Sequence, residues 1–265
     1  MLSTLPHENH AELVMNAYSR IGMITGCGRG IGLACLTKVL SARDNSLIIG
    51  ITRSNTPYLD ELKVKHPDRL KVYIEDIVRF ETINQILSDI QAQFGSIDFA
   101  ICNAGVRSRK SIELCDLTIY SSILEVNTLA QINIVKQLVK SKSLSSYDLN
   151  ILMISSIVGS HGFRDLSSYA VSKSALEGFV KSAAVELGAD GVQINCLAPG
   201  FVESSYASNF KDQNEELYKW TLAQTPMGRW GTCEEIAELA AFLVSKQNSY
   251  MTGSVIYCDG GWTSK

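Results

Sequence analysis

Long apolar stretches are missing from this chain. No run in its 265 residues approaches the ~20 residues of a membrane-crossing helix, so no helical membrane span is expected. Charge of one sign is missing too. With 24 Lys and Arg against 27 Asp and Glu the net charge is only -3, which leaves no basic footprint for nucleic acid. Ordered cysteine spacing is absent: Cys27, Cys35, Cys102, Cys115, Cys196, Cys233 and Cys258 are odd in number, with no Cys-x-x-Cys or Cys/His ligand pattern. That argues against a metal site and for reduced cytoplasmic thiols packed as small apolar groups. Residues 1–20 hold Glu8, Glu12 and a single basic residue with no apolar segment, so neither a signal nor a transit peptide is expected. Residues 1–19 read as a poorly ordered arm and 20–265 as one domain carrying every site.

What is present is an alternation. Short apolar runs at 21–25, 47–52, 70–74, 98–102, 150–155, 192–196 and 254–258 read as strands. Between them lie helical patterns near 30–42, 57–65, 80–94, 117–143, 168–188 and 232–245. Strands that are apolar almost throughout, each followed by a helix, predict an α/β fold: a Rossmann-type, doubly wound, seven-stranded parallel sheet covered on both faces. There are no repeats, low-complexity tracts or linkers, and 46% hydrophobic residues suffice for one large core.

The first strand runs into Thr25-Gly26-Cys27-Gly28-Arg29-Gly30-Ile31-Gly32. Glycines here allow a tight turn and close approach to a pyrophosphate, whose charge suits the amides of the next helix. A glycine-rich stretch alone could be a plain loop; its position between first strand and first helix favours the phosphate reading. The second strand ends in Thr52-Arg53-Ser54. A dinucleotide site usually carries a carboxylate there for the ribose hydroxyls, or a cation for a 2′-phosphate, although a solvated arginine at a strand end looks the same. Asp76 and Ile77, after the third strand, suit an adenine edge and face, while Asp76 alone also fits a turn. Asn103-Ala104-Gly105 offers small side chains where a nicotinamide would lie. Asn127 is a poor helix former within an apolar helical pattern, open to a backbone or water role or to simple exposure. Pro199, Gly200, Val202 and Ser204 leave the sixth strand at its carboxyl end, where ligands of open sheets bind, and 204–226 reads as an excursion over that end.

The chemical centre lies between Ser155 and Lys173. Tyr169 and Lys173 are four apart in a helical pattern and share one face. A phenol titrating near ~10 is a weak acid or base at neutrality, and a nearby ammonium favours its phenolate. Ser156, thirteen residues earlier at the end of an apolar strand, would deliver a hydroxyl to the same place. A surface tyrosine beside a snorkelling lysine has the same spacing.

Taken together over about residues 20–262, these motifs resemble the short-chain dehydrogenase/reductase family in its short single-domain branch. Thr25-(x)3-Arg29-Gly30-Ile31-Gly32 matches its cofactor turn, and Asn103-Ala104-Gly105 its Asn-Asn-Ala-Gly motif with Cys102 for the first Asn. Asn127, Ser156, Tyr169 and Lys173 match its catalytic tetrad, Pro199-Gly200 its Pro-Gly turn, and Thr252-Gly253 with Asp259-Gly260-Gly261 its C-terminal pattern. Gly28 stands where Ser is frequent and Ser204 where Thr is. The resemblance implies hydride transfer between a nicotinamide and a carbonyl or secondary alcohol, with Tyr169 as acid/base, Ser156 on the oxygen, Lys173 on phenol and ribose, and Asn127 holding a water. Arg29 and Arg53 without a carboxylate at Thr52 imply NADP(H). An alcohol or sugar-type dehydrogenase running oxidatively, and a nucleotide-binding regulator without turnover, are the alternatives. Places where carrier-protein-dependent members carry Arg are Tyr147 and Asp190 here, which speaks against a carrier-bound substrate. Apolar surplus on 117–143 and 168–188 implies a homodimer or homotetramer. Arg107, Arg109, Lys110 and Arg164 gather at the site's mouth.

Overall fold

The computed structural model describes residues 18–141, 149–204, 210, 211, 213 and 215–264. Seven parallel strands form its centre: β1 (Ile21–Thr25), β2 (Leu47–Thr52), β3 (Leu70–Ile74), β4 (Phe99–Cys102), β5 (Leu149–Ile154), β6 (Val192–Pro199) and β9 (Val255–Cys258), ordered β3-β2-β1-β4-β5-β6-β9. Helices α1 (Gly30–Leu40), α2 (Pro57–Lys65), α3 (Phe80–Phe94), α4 (Leu117–Leu124), α5 (Ala130–Ser141), α6 (Ser167–Leu187), α7 (Glu215–Gln224) and α8 (Cys233–Leu243) connect or cover the strands. The expected doubly wound parallel sheet is therefore present.

Strand side chains alternate between two separate cores, which is why these strands read as unbroken apolar runs. Met23, Ile49, Ile51, Ala100, Ile151, Met153 and Ile194 pack beneath α3, α5 and α6. Ile24, Ile48, Ile101, Leu152 and Leu197 pack beneath α1 and α8 on the other face. Full burial of each such aliphatic side chain contributes roughly 1.5–3 kcal/mol. The helices on both faces are thus fixed to the sheet, and so are the loops at the strand ends.

Three details depart from the sequence reading. The 117–143 pattern is not one helix: a π-helical turn at Glu125–Leu129 separates α4 from α5, and residues 142 and 143 lie outside the described residues. A two-stranded parallel ribbon of β7 (Val202–Glu203) and β8 (Gly231–Thr232) brackets the excursion after β6, and α7 lies inside it. At the other end, Tyr18 is already tied down, its hydroxyl donating to the Asp68 carbonyl at 2.9 Å and its ring edge-on to Phe94. The rest of the expected arm, residues 1–17, lies outside the described residues, as does Tyr147.

All seven cysteines are free, and six of them are buried. Burial pushes the thiols of Cys27, Cys35, Cys102 and Cys196 up to about 12. These groups pack as apolar side chains and are poor nucleophiles at neutrality. Among the described residues no helix is long and apolar enough to cross a membrane, and no group of His, Cys, Asp and Glu could hold a metal ion.

Candidate active site at the carboxyl ends of the strands

Strand order reverses between β1 and β4, and the crevice above that point is where an open parallel sheet binds ligands. Register places Thr25 between Ile51 and Cys102, so the ends of β2, β1 and β4 lie side by side. Thr25 is fully buried, and its hydroxyl oxygen accepts from the backbone amides of Asn103 and Ala104, both at 3.0 Å. Asn103 Nδ2 returns two bonds of 3.2 Å, to the carbonyls of Thr25 and Gly26. The glycine-rich turn and the Asn103-Ala104-Gly105 segment are thereby one unit.

Only glycine fits the tightest points of that unit. Gly26 has φ 66°, and a Cβ there would lie 2.8 Å from Ala104 Cα. At Gly32 a Cβ would lie 2.2 Å from the Gly26 carbonyl oxygen. The turn delivers α1, whose first-turn amides receive no side-chain cap from Arg29 and whose first turn has no acidic residue. Thr56 caps α2, Asp116 caps α4 and α8 has a full capping box of Thr232 and Glu235, whereas α3 and α6, like α1, have no side-chain cap. Uncapped amides above a glycine cradle fit a pyrophosphate in both shape and charge.

Beside the cradle, Gly28 lies close over the end of β2; a Cβ there would come within 3.0 Å of Thr52 Oγ1, and Thr56 Oγ1 donates to the Gly28 carbonyl at 3.2 Å. Thr52 is buried, whereas Arg29, Arg53 and Ser54 face solvent. Among the described residues neither arginine has an ion pair. Ile31 packs on the apolar layer under α1. Asp76 Oδ1 accepts from the Val78 amide at 3.3 Å. Ile77 turns its side chain into the core, which leaves Asp76 and the backbone as the surface groups there. On the far side β6 reaches Pro199, the Gly200 amide donates to the Cys258 carbonyl at 3.1 Å, and Val202 lies in β7. Ser204 Cβ is 3.8 Å from the Cβ position of Gly30, so this segment faces the cradle.

The four residues matched to the tetrad come from three elements that meet at the end of β5. Lys173 is buried one turn along α6 from Tyr169, with Nζ 5.6 Å from the tyrosine ring centroid. The same Nζ donates to the Ile154 carbonyl at 2.6 Å, which fixes it against the end of β5. Ser156 begins the short 3-10 turn Ile157–Gly159, and its Oγ accepts from the Val158 amide at 3.3 Å. Tyr169 packs with Ile157, Val158 and Leu166 from that turn and the following loop. Asn127 sits fully buried at the middle of the π-helical turn. Its Oδ1 accepts from the Val106 amide at 2.7 Å, and its Nδ2 donates to the Val106 carbonyl at 2.9 Å and to Ser172 Oγ at 3.0 Å. Ser172 Oγ donates in turn to the Tyr169 carbonyl at 2.8 Å. The Asn127 side chain is therefore a clamp between the loop after β4 and the helix bearing Tyr169 and Lys173, with neither Nδ2 hydrogen left for a water. Widened turns of this kind recur at functional sites.

Sequence reasoning missed the polar residues behind this centre. Gln131 donates to the Ala104 carbonyl from α5. Glu177, buried one turn beyond Lys173, accepts from Ser155 Oγ at 2.9 Å. Burial raises its carboxyl above the usual range, opposed by the Ser155 bond and by the charges of Lys181, His161 and Lys173. The signal was available, since Glu177 continues the four-residue spacing of Tyr169 and Lys173.

A cavity of about 370 Å³ lies against the loop between Ser156 and Tyr169, with His161 to Arg164 in its wall but neither Ser156 nor Tyr169. Phe163, Phe201 and Trp262 line it and belong to the same apolar cluster as Tyr169. Phe163 stacks on Trp262 at 5.8 Å between centroids, and Phe201 meets Trp262 edge-on at 5.0 Å.

Comparison with known proteins agrees with this geometry. The family model described as enoyl-(acyl carrier protein) reductase matches residues 26–263. The 3-oxoacyl-(acyl-carrier-protein) reductase of Aquifex aeolicus is 32% identical over 243 residues, 91% of this chain and 96% of that one. Its Escherichia coli counterpart is 30% identical over 248 residues, 93% and 98% of the two chains. Among solved structures, 4-hydroxyisoleucine dehydrogenase complexed with NADH superposes with a TM-score of 0.86 at 26% identity, covering 93% of this chain and 100% of that one. With a family model over 26–263 and a reductase 32% identical over 91% of the chain, the chain belongs to the short-chain dehydrogenase/reductase family.

Proposed function

We propose that the chain is an NADP(H)-dependent oxidoreductase that reduces a carbonyl to a secondary alcohol, or the reverse, with Tyr169 as acid/base. The observation that carries this reading is the buried Lys173 ammonium held 5.6 Å from the Tyr169 ring on one helix. A reduced nicotinamide, when bound, supplies the hydride. Tyr169 Oη donates the proton to the carbonyl oxygen in the reductive direction. Ser156 Oγ accepts from Val158, which leaves its hydrogen to donate to that oxygen as negative charge develops. Lys173 spends one of its three N–H groups on Ile154; the others serve the phenol and the cofactor ribose. A water linking Lys173 to solvent would hang from the Asn127 backbone carbonyl, because the side chain is occupied.

Support for NADP(H) comes from Arg29 in the glycine-rich turn and Arg53 next to Thr52, both exposed and without ion pairs among the described residues. No carboxylate stands there to repel a 2′-phosphate. Two charge-assisted contacts of roughly 1.5 kcal/mol each correspond to a preference on the order of a hundredfold. The remaining positions of the proposed cofactor site are Gly26, Gly28, Gly30, Ile31, Ser54, Asp76, Asn103 to Gly105, Pro199, Gly200, Val202 and Ser204, with Thr25 bracing the cradle and Ile77 offering its backbone. The related 3-oxoacyl reductases support a carbonyl substrate. A carrier-bound one is not adopted, because Asp190 places an acid where a docking arginine is expected. Free thiols support a reducing, cytoplasmic setting.

Oxidation of NADPH across a panel of ketones tests the reading. Wild-type enzyme should turn over at least one class, and Tyr169→Phe should lose about 10²-fold or more in kcat while binding NADPH as before. A Tyr169→Phe enzyme as fast as wild type removes the mechanism.

A further inference from the structure

The cavity beside the loop that joins Ser156 to Tyr169 shares an apolar cluster with the tyrosine and has a polarity that the tetrad residues do not explain. Its walls are rings: Phe163, Phe201, Trp220 and Trp262. Its charged lining is Arg109 and Arg164, and no carboxylate lines it among the described residues. A volume of about 370 Å³ lies in the range of small-molecule sites.

The two arginines are brought together by the backbone. Arg109 belongs to the loop after β4 and Arg164 to the loop between Ser156 and Tyr169. The Lys110 amide donates to the Asp165 carbonyl at 2.9 Å, joining the loops next to both side chains. Asp165 has φ 63°, the only positive value at a non-glycine residue among those described. Such backbone strain concentrates where a loop is held for a ligand. The cations are not internally neutralised: Arg109 has no ion pair among the described residues, and Arg164 approaches only Asp165, at 4.0 Å, with its side chain 95% exposed.

We infer that the substrate of this site carries a carboxylate, or a comparable anionic group, on a planar apolar body. The body lies against the exposed faces of the Phe163, Phe201 and Trp262 cluster, and the anion meets Arg109 and Arg164 at the rim. Planar faces stack on these rings, and two guanidinium forks match carboxylate geometry. The inference rests on the reductase reading for its reactive carbonyl, but the recognition itself is independent of turnover.

The test uses three aryl ketones that differ in the spacing of ketone and carboxylate: benzoylformate, 3-benzoylpropanoate and 4-acetylbenzoate, each against its methyl ester. Binding is read from quenching of tryptophan fluorescence, since Trp220 and Trp262 line the cavity. For at least one pair the acid should bind about tenfold tighter than the ester at low salt, about 1.4 kcal/mol, and the gap should narrow as salt screens the rim. The double variant Arg109→Ala/Arg164→Ala should bring the acid down to the affinity of the ester. Esters that bind as tightly as their acids, a preference that survives the double variant, or no binding of any pair would overturn the inference. NADPH oxidation measured on the same compounds separates the two readings. Acid-selective binding without turnover removes the reductase and keeps the anion site; equal turnover of acid and ester keeps the reductase and removes the anion site.

Discussion

Replacing Asn127 by alanine should be the most damaging small change at the site that leaves every matched acid/base group in place. The side chain is fully buried and makes three hydrogen bonds, two to the Val106 backbone and one to Ser172 Oγ. Alanine leaves the Val106 amide and carbonyl without these partners, while Ser172 keeps its bond to the Tyr169 carbonyl. Each buried group stranded in this way costs about 1–3 kcal/mol. Val106 is only half-buried, and a polar hole of this kind can admit a water, so the net cost should lie near 2–4 kcal/mol rather than at the full sum. At about 2–4 °C per kcal/mol for a chain of this size, the melting midpoint should fall by roughly 4–16 °C. Asn127→Asp should be no milder, because it keeps the acceptor for Val106 N–H but turns a carboxylate oxygen towards the Val106 carbonyl. The assay is thermal unfolding with and without NADPH, followed by NADPH titration. Loosening the 103–106 loop should also weaken NADPH binding. A midpoint within a degree of wild type for Asn127→Ala would mean that the clamp carries no energy, and the argument would fail.

Glu177→Gln should flatten the pH dependence of stability. Its raised carboxyl pKa stabilises the fold at pH below the ordinary Glu value, and that contribution is lost as pH rises through the folded value. Gln keeps the acceptor for Ser155, so equilibrium unfolding should converge for variant and wild type at low pH and favour Gln near neutrality; a parallel offset at every pH would contradict this. Glu235 behaves oppositely, held down to about 2 by Arg229 and the Thr232 amide. Its stabilisation is present above the ordinary value of 4.5, fades as pH falls through about 2, and should disappear in Glu235→Gln. Arg53→Ala should raise the NADPH Michaelis constant strongly and the NADH constant little, and Thr52→Asp should reverse the preference; equal efficiency with both cofactors in wild type would return Arg29 and Arg53 to the status of surface charges. Leu129, Val171 and Val185 on α4–α6 and the turn between them remain exposed, so light scattering at micromolar concentration should give a dimeric or tetrameric mass, and a monomer would refute pairing through these helices.

Most of the fold was legible because its signal is local. A strand buried on both faces must be apolar at consecutive positions, and Ile48-Ile49 or Ile151-Leu152-Met153 can hardly be read otherwise. What escaped was either short or non-local. The two-residue strands β7 and β8 are too brief for a period of two to appear. The π-helical turn adds one residue to a helix whose hydrophobic pattern continues on both sides, and only the misplaced polarity of Asn127 marked it. Tyr169, Lys173 and Ser156 were marked by spacing along one helix and at one strand end, whereas Asn127 was joined to them by the family resemblance. The partners of Asn127 did not, since Val106 and Ser172 lie 21 and 45 residues away. Ile77 was expected to cover an adenine face; after the turn at Asp76 its side chain packs in the core, a long-range contact that a strand end does not announce.

The two halves of the site are built to different standards of rigidity, and that difference bears on how the chain can change. Thr25, Asn103 and Gln131 hold the glycine cradle through backbone bonds, and Asn127, Ser172 and Lys173 hold the tyrosine against the end of β5. Every one of these groups sits on, or within a few residues of, an element fixed by one of the two cores. The cavity proposed for the substrate is lined instead by loop side chains, from Arg109, from His161 to Arg164 and from Phe201, together with Trp220 on the weakly buried α7 and Trp262 near the end of the chain. Precise positioning needs rigid support, whereas loops tolerate substitution with little effect on the scaffold. Changes in those loops should therefore redistribute Michaelis constants among carbonyl substrates and leave NADPH affinity nearly constant. Changes at Thr25, Asn103 or Asn127 should weaken NADPH binding and turnover together, whichever substrate is offered.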